Sequence, residues 1–373
     1  MGKNFYLFIL AQAFALTGGY IQTLALSWAS SELGGSLLHL AGYLLACYLP
    51  VAVLCYPWGR FLDRRPLKPW LLGSELTLAG LSFLLWQVAR NGGLTYPFLL
   101  GFGALWGVVR ALQTPIYQSL PRRLAKDLSQ GTGLLTAVTY GARGLGPILG
   151  GLIYAKLGQS APYFANFCSF LPSAALLFFL KIPQDEGVEK PRFSRWVPPL
   201  VRIFLVGFFG VHYNVTFVGL VKEAGLGSAS FGFALGLLGL GALLGFFIKR
   251  KLSRDPPVEL FILGMGVLNI ALAFAPGLLL QGLCILLYGV CDFWFFAISA
   301  YRISKAARPA ELTAVMGLYS VATVGALPLG ALLWSASAKT LGLQAVLLIL
   351  GGGLLLLTIN EFIQRMDCNE TCT

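Results

Sequence analysis

The sequence predicts an all-α integral membrane protein with twelve transmembrane helices in two six-helix, pseudo-symmetric halves. Three observations predict it. Apolar stretches recur along the whole chain, each close to the roughly 20 residues that cross a bilayer core. Basic residues gather in every second gap between them. The longest polar stretch falls after the sixth. Hydrophobic residues make up 57% of the chain and charged residues 11%, which excludes a soluble globular domain.

The spans follow in order. Span 1 (5–31) is too long for a signal peptide and has no small-x-small site after it. Span 2 (38–58) runs into a basic loop, and span 3 (69–89) carries Glu75 about one and a half turns in, where it could snorkel. Span 4 (96–118) holds Arg110, Gln113 and Tyr117. Span 5 (130–154) is dense in small residues: Gly141, Gly144, Gly146, Gly150 and Gly151 flank Pro147. Small residues allow close helix approach, and proline bends a helix by removing a hydrogen bond. Span 6 (161–180) leads into the polar segment 181–196, with Pro183 and Pro191. The chain thus divides into a half at 1–180, a linker at 181–196 and a half at 197–373 with a short tail.

Span 7 (197–221) carries His212, Asn214 and Thr216, and span 8 (228–248) repeats the glycine pattern with Gly236, Gly239, Gly241 and Gly245. Spans 9 (258–275), 10 (278–300), 11 (312–335) and 12 (343–362) complete the second half. Span 10 contains Tyr288 and Asp292. Spans 5 and 11 share a Leu-Thr-Ala-Val start, at Leu135 and Leu312, and a later proline. Six plus six spans with a faint internal repeat is the layout of a two-half transporter.

Charge sets the orientation. About 20 basic residues lie in the gaps on one side and about four, Arg90, Lys156, Lys222 and Lys339, on the other. The positive-inside rule places the rich side and both termini in the cytoplasm, in the inner membrane. The net charge of +12 is therefore a topology signal. A nucleic-acid partner would need the bases on one soluble face, which this chain lacks. No cofactor or metal motif is present, and no catalytic constellation supports a membrane enzyme.

Motifs at three places carry a family resemblance. Gly59-Arg60-Phe61-Leu62-Asp63-Arg64-Arg65-Pro66-Leu67-Lys68, Arg110-Ala111-Leu112-Gln113 and Gly146-Pro147-Ile148-Leu149-Gly150-Gly151 resemble motifs A, B and C of the major facilitator superfamily. The resemblance covers the whole chain. It is strongest over 20–180, where it is similar to the drug and siderophore exporter branch, including macrolide and enterobactin efflux proteins. It implies the major facilitator fold, alternating access and export. It assigns gating to Gly59, Asp63, Arg64, Lys68, Gly146, Pro147, Gly150 and Gly151. Asp63 then serves as a latch, meeting a helix N-terminus or an arginine. Pro66 and Leu67 depart from the pattern. Lys249 replaces the acid in the second half, and span 1 lacks the acid of many proton-coupled relatives.

Ionisable groups inside a bilayer mark pathways. Arg110 and Asp292 lie about 21 Å from the same side on equivalent spans. That matched depth suggests an ion pair across the pathway or a proton-sensitive switch. Arg143 lies near mid-depth. Gln113, Tyr117, His212, Asn214 and Tyr288 complete the candidate substrate or coupling set. Two guanidinium groups favour an anion. The expected cargo is therefore a small amphipathic anion such as a carboxylate siderophore, moved by a monomer in the lipid bilayer. Coupling is to protons, through Asp292 or His212, or absent. The alternatives are multidrug or macrolide-type efflux, lysolipid flipping and divalent-metal transport.

Overall fold

The computed structural model describes residues 2–63, 65–183, 193–252, 256–308 and 311–370. Among them are thirteen helices and no strand. The first half comprises α1 (Lys3–Leu33), α2 (Leu37–Leu62), α3 (Leu67–Arg90), α4 (Tyr96–Leu124), α5 (Leu128–Leu157) and α6 (Ala161–Phe178). The second comprises α7 (Phe193–Gly210), α8 (Tyr213–Glu223), α9 (Ser228–Lys251), α10 (Val258–Phe274), α11 (Gly277–Ala306), α12 (Leu312–Leu341) and α13 (Leu343–Glu370). Among the described residues ten segments are long and apolar enough to cross a bilayer, α7 with α8 counting as one, and α10 is a shorter apolar helix.

The seventh span differs from its expectation. It is interrupted at Val211 and His212, so that α7 and α8 are separate helices. A tertiary hydrogen bond lies at the break. Tyr288 Oη donates to the Gly210 carbonyl at 2.6 Å, engaging an acceptor that a continuous helix would use four residues on. His212 becomes the N-terminal flanking residue of α8, and its carbonyl accepts from Val215 and Thr216.

Turns differ between the two rims. At the rim without the basic loops, Gly35, Gly92, Gly158, Gly225, Gly277 and Gly342 all take positive φ, between 69° and 85°. A left-handed glycine closes a helix and reverses the chain in a few residues.

Packing follows the internal repeat. Within the halves α1 lies against α5 and α6, α2 against α4, α9 against α11, and α10 against α13. Between the halves α2 packs on α12, and α5 packs on α9. The second helix of each half therefore meets the fifth span of the other. Glycine makes these seams possible. A Cβ at Gly59 would sit 2.9 Å from the Thr313 carbonyl, and one at Gly317 would sit 2.8 Å from the Cys55 carbonyl. On α5, Gly146 and Gly150 face α1, where an added Cβ would fall 2.6 Å from Tyr20 Cβ and 2.8 Å from the Ile21 carbonyl respectively. Gly144 and Gly151 face α9, and Gly239 lies against Gly144 backbone to backbone. The proline carbonyl of Pro147 is covered by Gly232 of α9.

Candidate functional site

The central charges form one pair between the halves. Arg143 of α5 reaches Asp292 of α11 at 3.1 Å, and Tyr140 Oη donates to the same carboxylate oxygen at 3.2 Å. Asp292 is fully buried, and its other oxygen, Oδ1, has no hydrogen-bond partner among the described residues. The Arg143 guanidinium lies 4.5 Å from the Tyr213 ring centroid and 5.3 Å from that of Tyr140. One aromatic face thus comes from each half. Cation–π contact with desolvated rings adds to the ion pair. Phe293, itself buried, packs edge-on against Tyr140 at 5.5 Å.

Asp292 therefore pairs with Arg143, and the expected match with Arg110 is corrected. Equal depth on two helices does not fix azimuth, and α5 brings its arginine to α11 where α4 does not. Arg110 belongs to a network inside the first half. Its Nη1 donates to Gln113 Oε1 at 2.8 Å, and Gln113 Nε2 donates to Glu75 Oε2 at 2.6 Å. Tyr117 Oη donates to Glu75 at 2.8 Å, and Ser173 Oγ donates to its other oxygen. Glu75 is fully buried, so the snorkelling expectation is also corrected. Three donors supply what water would give a carboxylate.

His212 sits in a third cluster. Its Nδ1 lies 2.8 Å from Thr216 Oγ1 and its Nε2 3.0 Å from Asn269 Oδ1. Tyr288 stacks edge-on against it at 5.9 Å. Both ring nitrogens thus have hydrogen-bond partners within the second half. Among the described residues no three His, Cys, Asp or Glu side chains gather to hold an ion. The Asn214 side chain and Arg64 lie outside the described residues.

The basic rim carries contacts between the halves. Asp63 follows the last residue of α2, and its carboxylate accepts from the Ala314 amide at 3.2 Å, in the first turn of α12. A carboxylate there completes an unpaired helix-end donor and meets the positive end of the dipole. Burial pushes the Asp63 carboxyl up to about 6, while its bonds to Thr313 and Ala314 and the charge of Arg123 pull the other way. Arg122 of α4 donates to the Ser304 and Ala307 carbonyls at the end of α11, at 2.9 and 2.5 Å. Arg123 reaches Thr313 Oγ1 at 3.1 Å. A small cavity of about 50 Å³ adjoins Asp63. Lys68 lies on its own half instead, donating to the Phe178 carbonyl at 2.6 Å.

Tyr140, Asn269, Arg122 and Arg123 join these sites without having been singled out as site residues. Tyr140 lies one turn before Arg143, a spacing that alone could have flagged it.

The Major Facilitator Superfamily sequence profile matches residues 8–331. The chain belongs to the Major Facilitator Superfamily. Solved structures share the fold. The human organic anion transporter MFSD10 (TETRAN) superposes with a TM-score of 0.77 at 16% identity, over 96% of this chain and 99% of that one. A bacterial homologue of the iron transporter ferroportin, outward-facing, gives 0.73 at 18%, over 96% and 98%. The nucleoside transporter NupG gives 0.69 at 16%, over 96% and 98%. Comparison with curated protein sequences gives no match. Superfamily membership makes the chain a multi-pass membrane transporter of small molecules and not an enzyme.

Proposed function

We propose that this transporter exports a small amphipathic anionic solute from the cytoplasm by alternating access, with Arg143 and Asp292 at its centre. The observation that carries the reading is the ion pair between the halves, with its carboxylate fully buried and its guanidinium largely so. Such a pair is stable only while both charges are compensated. An anion on Arg143 and a proton on Asp292 are two ways to compensate the same pair once it opens. Aromatic faces on Tyr140 and Tyr213 would hold the carbon skeleton of a carboxylate solute. Arg110, half-buried and fixed by Gln113, would add a second guanidinium. The name of one structural neighbour, an organic anion transporter, agrees with this chemistry.

In this reading the basic rim faces the cytoplasm, in the inner membrane, with both termini on that side. Asp63, Gly59 and the Arg122–Arg123 pair hold that rim shut, and the glycine seams let the halves rock. A monomer suffices, since both sides of the pair come from one chain. Divalent-metal transport has less support, because His212 and Asp292 are already bonded within the protein.

The experiment is thermal shift of the purified protein in nanodiscs with carboxylate siderophores, cationic drugs and ferrous iron. Stabilisation by the carboxylates alone, lost in Arg110→Ala, supports the reading. Stabilisation by cations or metal alone overturns it.

A further inference from the structure

The rim opposite Asp63 carries the same kind of contact with its charges reversed. Lys222 lies in the last turn of α8, in the second half. Its Nζ donates to the Ser31 carbonyl at 3.3 Å, in the last turn of α1, in the first half. The ammonium also lies 5.6 Å from the Trp28 ring centroid. Trp28 Nε1 donates to Glu32 at 2.7 Å, and Tyr154 of α5 donates to the other Glu32 oxygen at 2.8 Å. Glu32 is close enough to attract Lys222 electrostatically. Trp28 in turn stacks on Phe231 of α9 at 6.2 Å. A Cβ at Gly219, one turn before Lys222, would approach Leu343 of α13 to 3.1 Å, and Leu37 at the start of α2 lies at ordinary contact distance, 3.5 Å.

The physical logic mirrors the basic rim. The last carbonyls of a helix lack intrahelical donors and carry the negative end of its dipole, so a cation is stabilised there. Asp63 of the first half serves the N-terminus of α12, and Lys222 of the second half serves the C-terminus of α1. Each half thus lends one charge to a helix end of the other, at opposite ends of the pathway. We propose that Lys222 is the gating residue of the rim opposite Asp63. Release of its contacts with Ser31 and Trp28 frees α8 from α1 and opens that rim while Asp63 keeps the other closed.

The test is hydrogen exchange by mass spectrometry on the full-length protein in nanodiscs, comparing wild type, Lys222→Gln and Lys222→Arg. Lys222→Gln should raise exchange over 28–36 and 219–227 by about five- to tenfold, the combined effect of a helix-end charge and a cation–π contact. Exchange over 59–63 and 311–314 should stay at or below wild type. Lys222→Arg keeps both contacts and should keep the wild-type pattern. Unchanged exchange in Lys222→Gln, or a rise at both rims together, overturns the proposal, the second because it marks general loosening. If Lys222→Gln does not fold, Trp28→Phe carries the same test, since it removes the Glu32 link and weakens the π face while leaving the cation. The readout needs no substrate, so it stands apart from the anion reading.

Discussion

Removing one member of the Arg143–Asp292 pair should cost far more than removing both. In Arg143→Gln the carboxylate of Asp292 stays fully buried, with Tyr140 its one remaining donor among the described residues and Oδ1 still unpaired. Breaking a buried pair by removing one partner costs about 3–5 kcal/mol. Asp292→Asn leaves a buried guanidinium on two aromatic faces, which soften the loss, so about 2–3 kcal/mol is expected there. The double variant Arg143→Gln/Asp292→Asn places two amides at hydrogen-bonding distance and should lose about 1 kcal/mol. The coupling is then about 4 kcal/mol or more, well above the scatter of an additive pair. The assay is equilibrium unfolding in mixed micelles for the wild type, both singles and the double. Additive losses, with the double as unstable as the sum of the singles, would refute the claim that the two charges compensate each other. The same double variant should lose the response of transport to a pH gradient, whereas a retained response would place proton coupling elsewhere.

Other consequences follow from the same geometry. The Asp63 carboxyl is raised to about 6 with the basic rim closed, against 3.8 for the unperturbed group. The closed state thus binds more protons across this window, so acidification from pH 6 toward 4 should favour it and rising pH should weaken it until about 6. Hydrogen exchange over 311–314 should track that change in wild type and lose it in Asp63→Asn; the same dependence in the variant would assign it to another group. Arg110→Ala should abolish transport while the protein still folds, because Gln113 and Glu75 keep their remaining bonds; normal flux would remove Arg110 from the mechanism. Gly239→Val forces a side chain onto the Gly144 backbone and should cost about 1–3 kcal/mol and stop transport, whereas Gly19→Ala meets open space and should be silent in both measurements. Tyr288→Phe leaves the Gly210 carbonyl without its donor and should lower stability by about 1 kcal/mol in the same unfolding assay; no loss would mean that the break in the seventh span needs no hydroxyl.

The sequence alone determined that the chain is an all-α membrane protein, and it set the expectation of how often it crosses and where it divides. These depend on one-dimensional quantities: the length of apolar runs, the alternation of charge and the position of a polar segment. The glycines of α5 and α9 were also readable as close-contact residues, since small side chains at helical spacing have little other use in lipid. That Asp63 meets a helix N-terminus was readable from its motif, though its partner, the Ala314 amide, was not. What only the tertiary structure decided was pairing. Asp292 could have faced Arg110 or Arg143 at nearly the same depth, and rotation about the helix axis, set by packing across the α5–α9 and α9–α11 seams, chose Arg143. Glu75 looked able to reach the surface, yet Ser173, Gln113 and Tyr117 surround it because α3, α4 and α6 converge there. The break at Val211 and His212 has no proline to announce it, since its cause is a hydroxyl on α11, 78 residues away in sequence. Spans are local, and a local pattern records them. Ion pairs, capped carbonyls and rim contacts join residues distant in sequence, so their partners are fixed only when the helices pack.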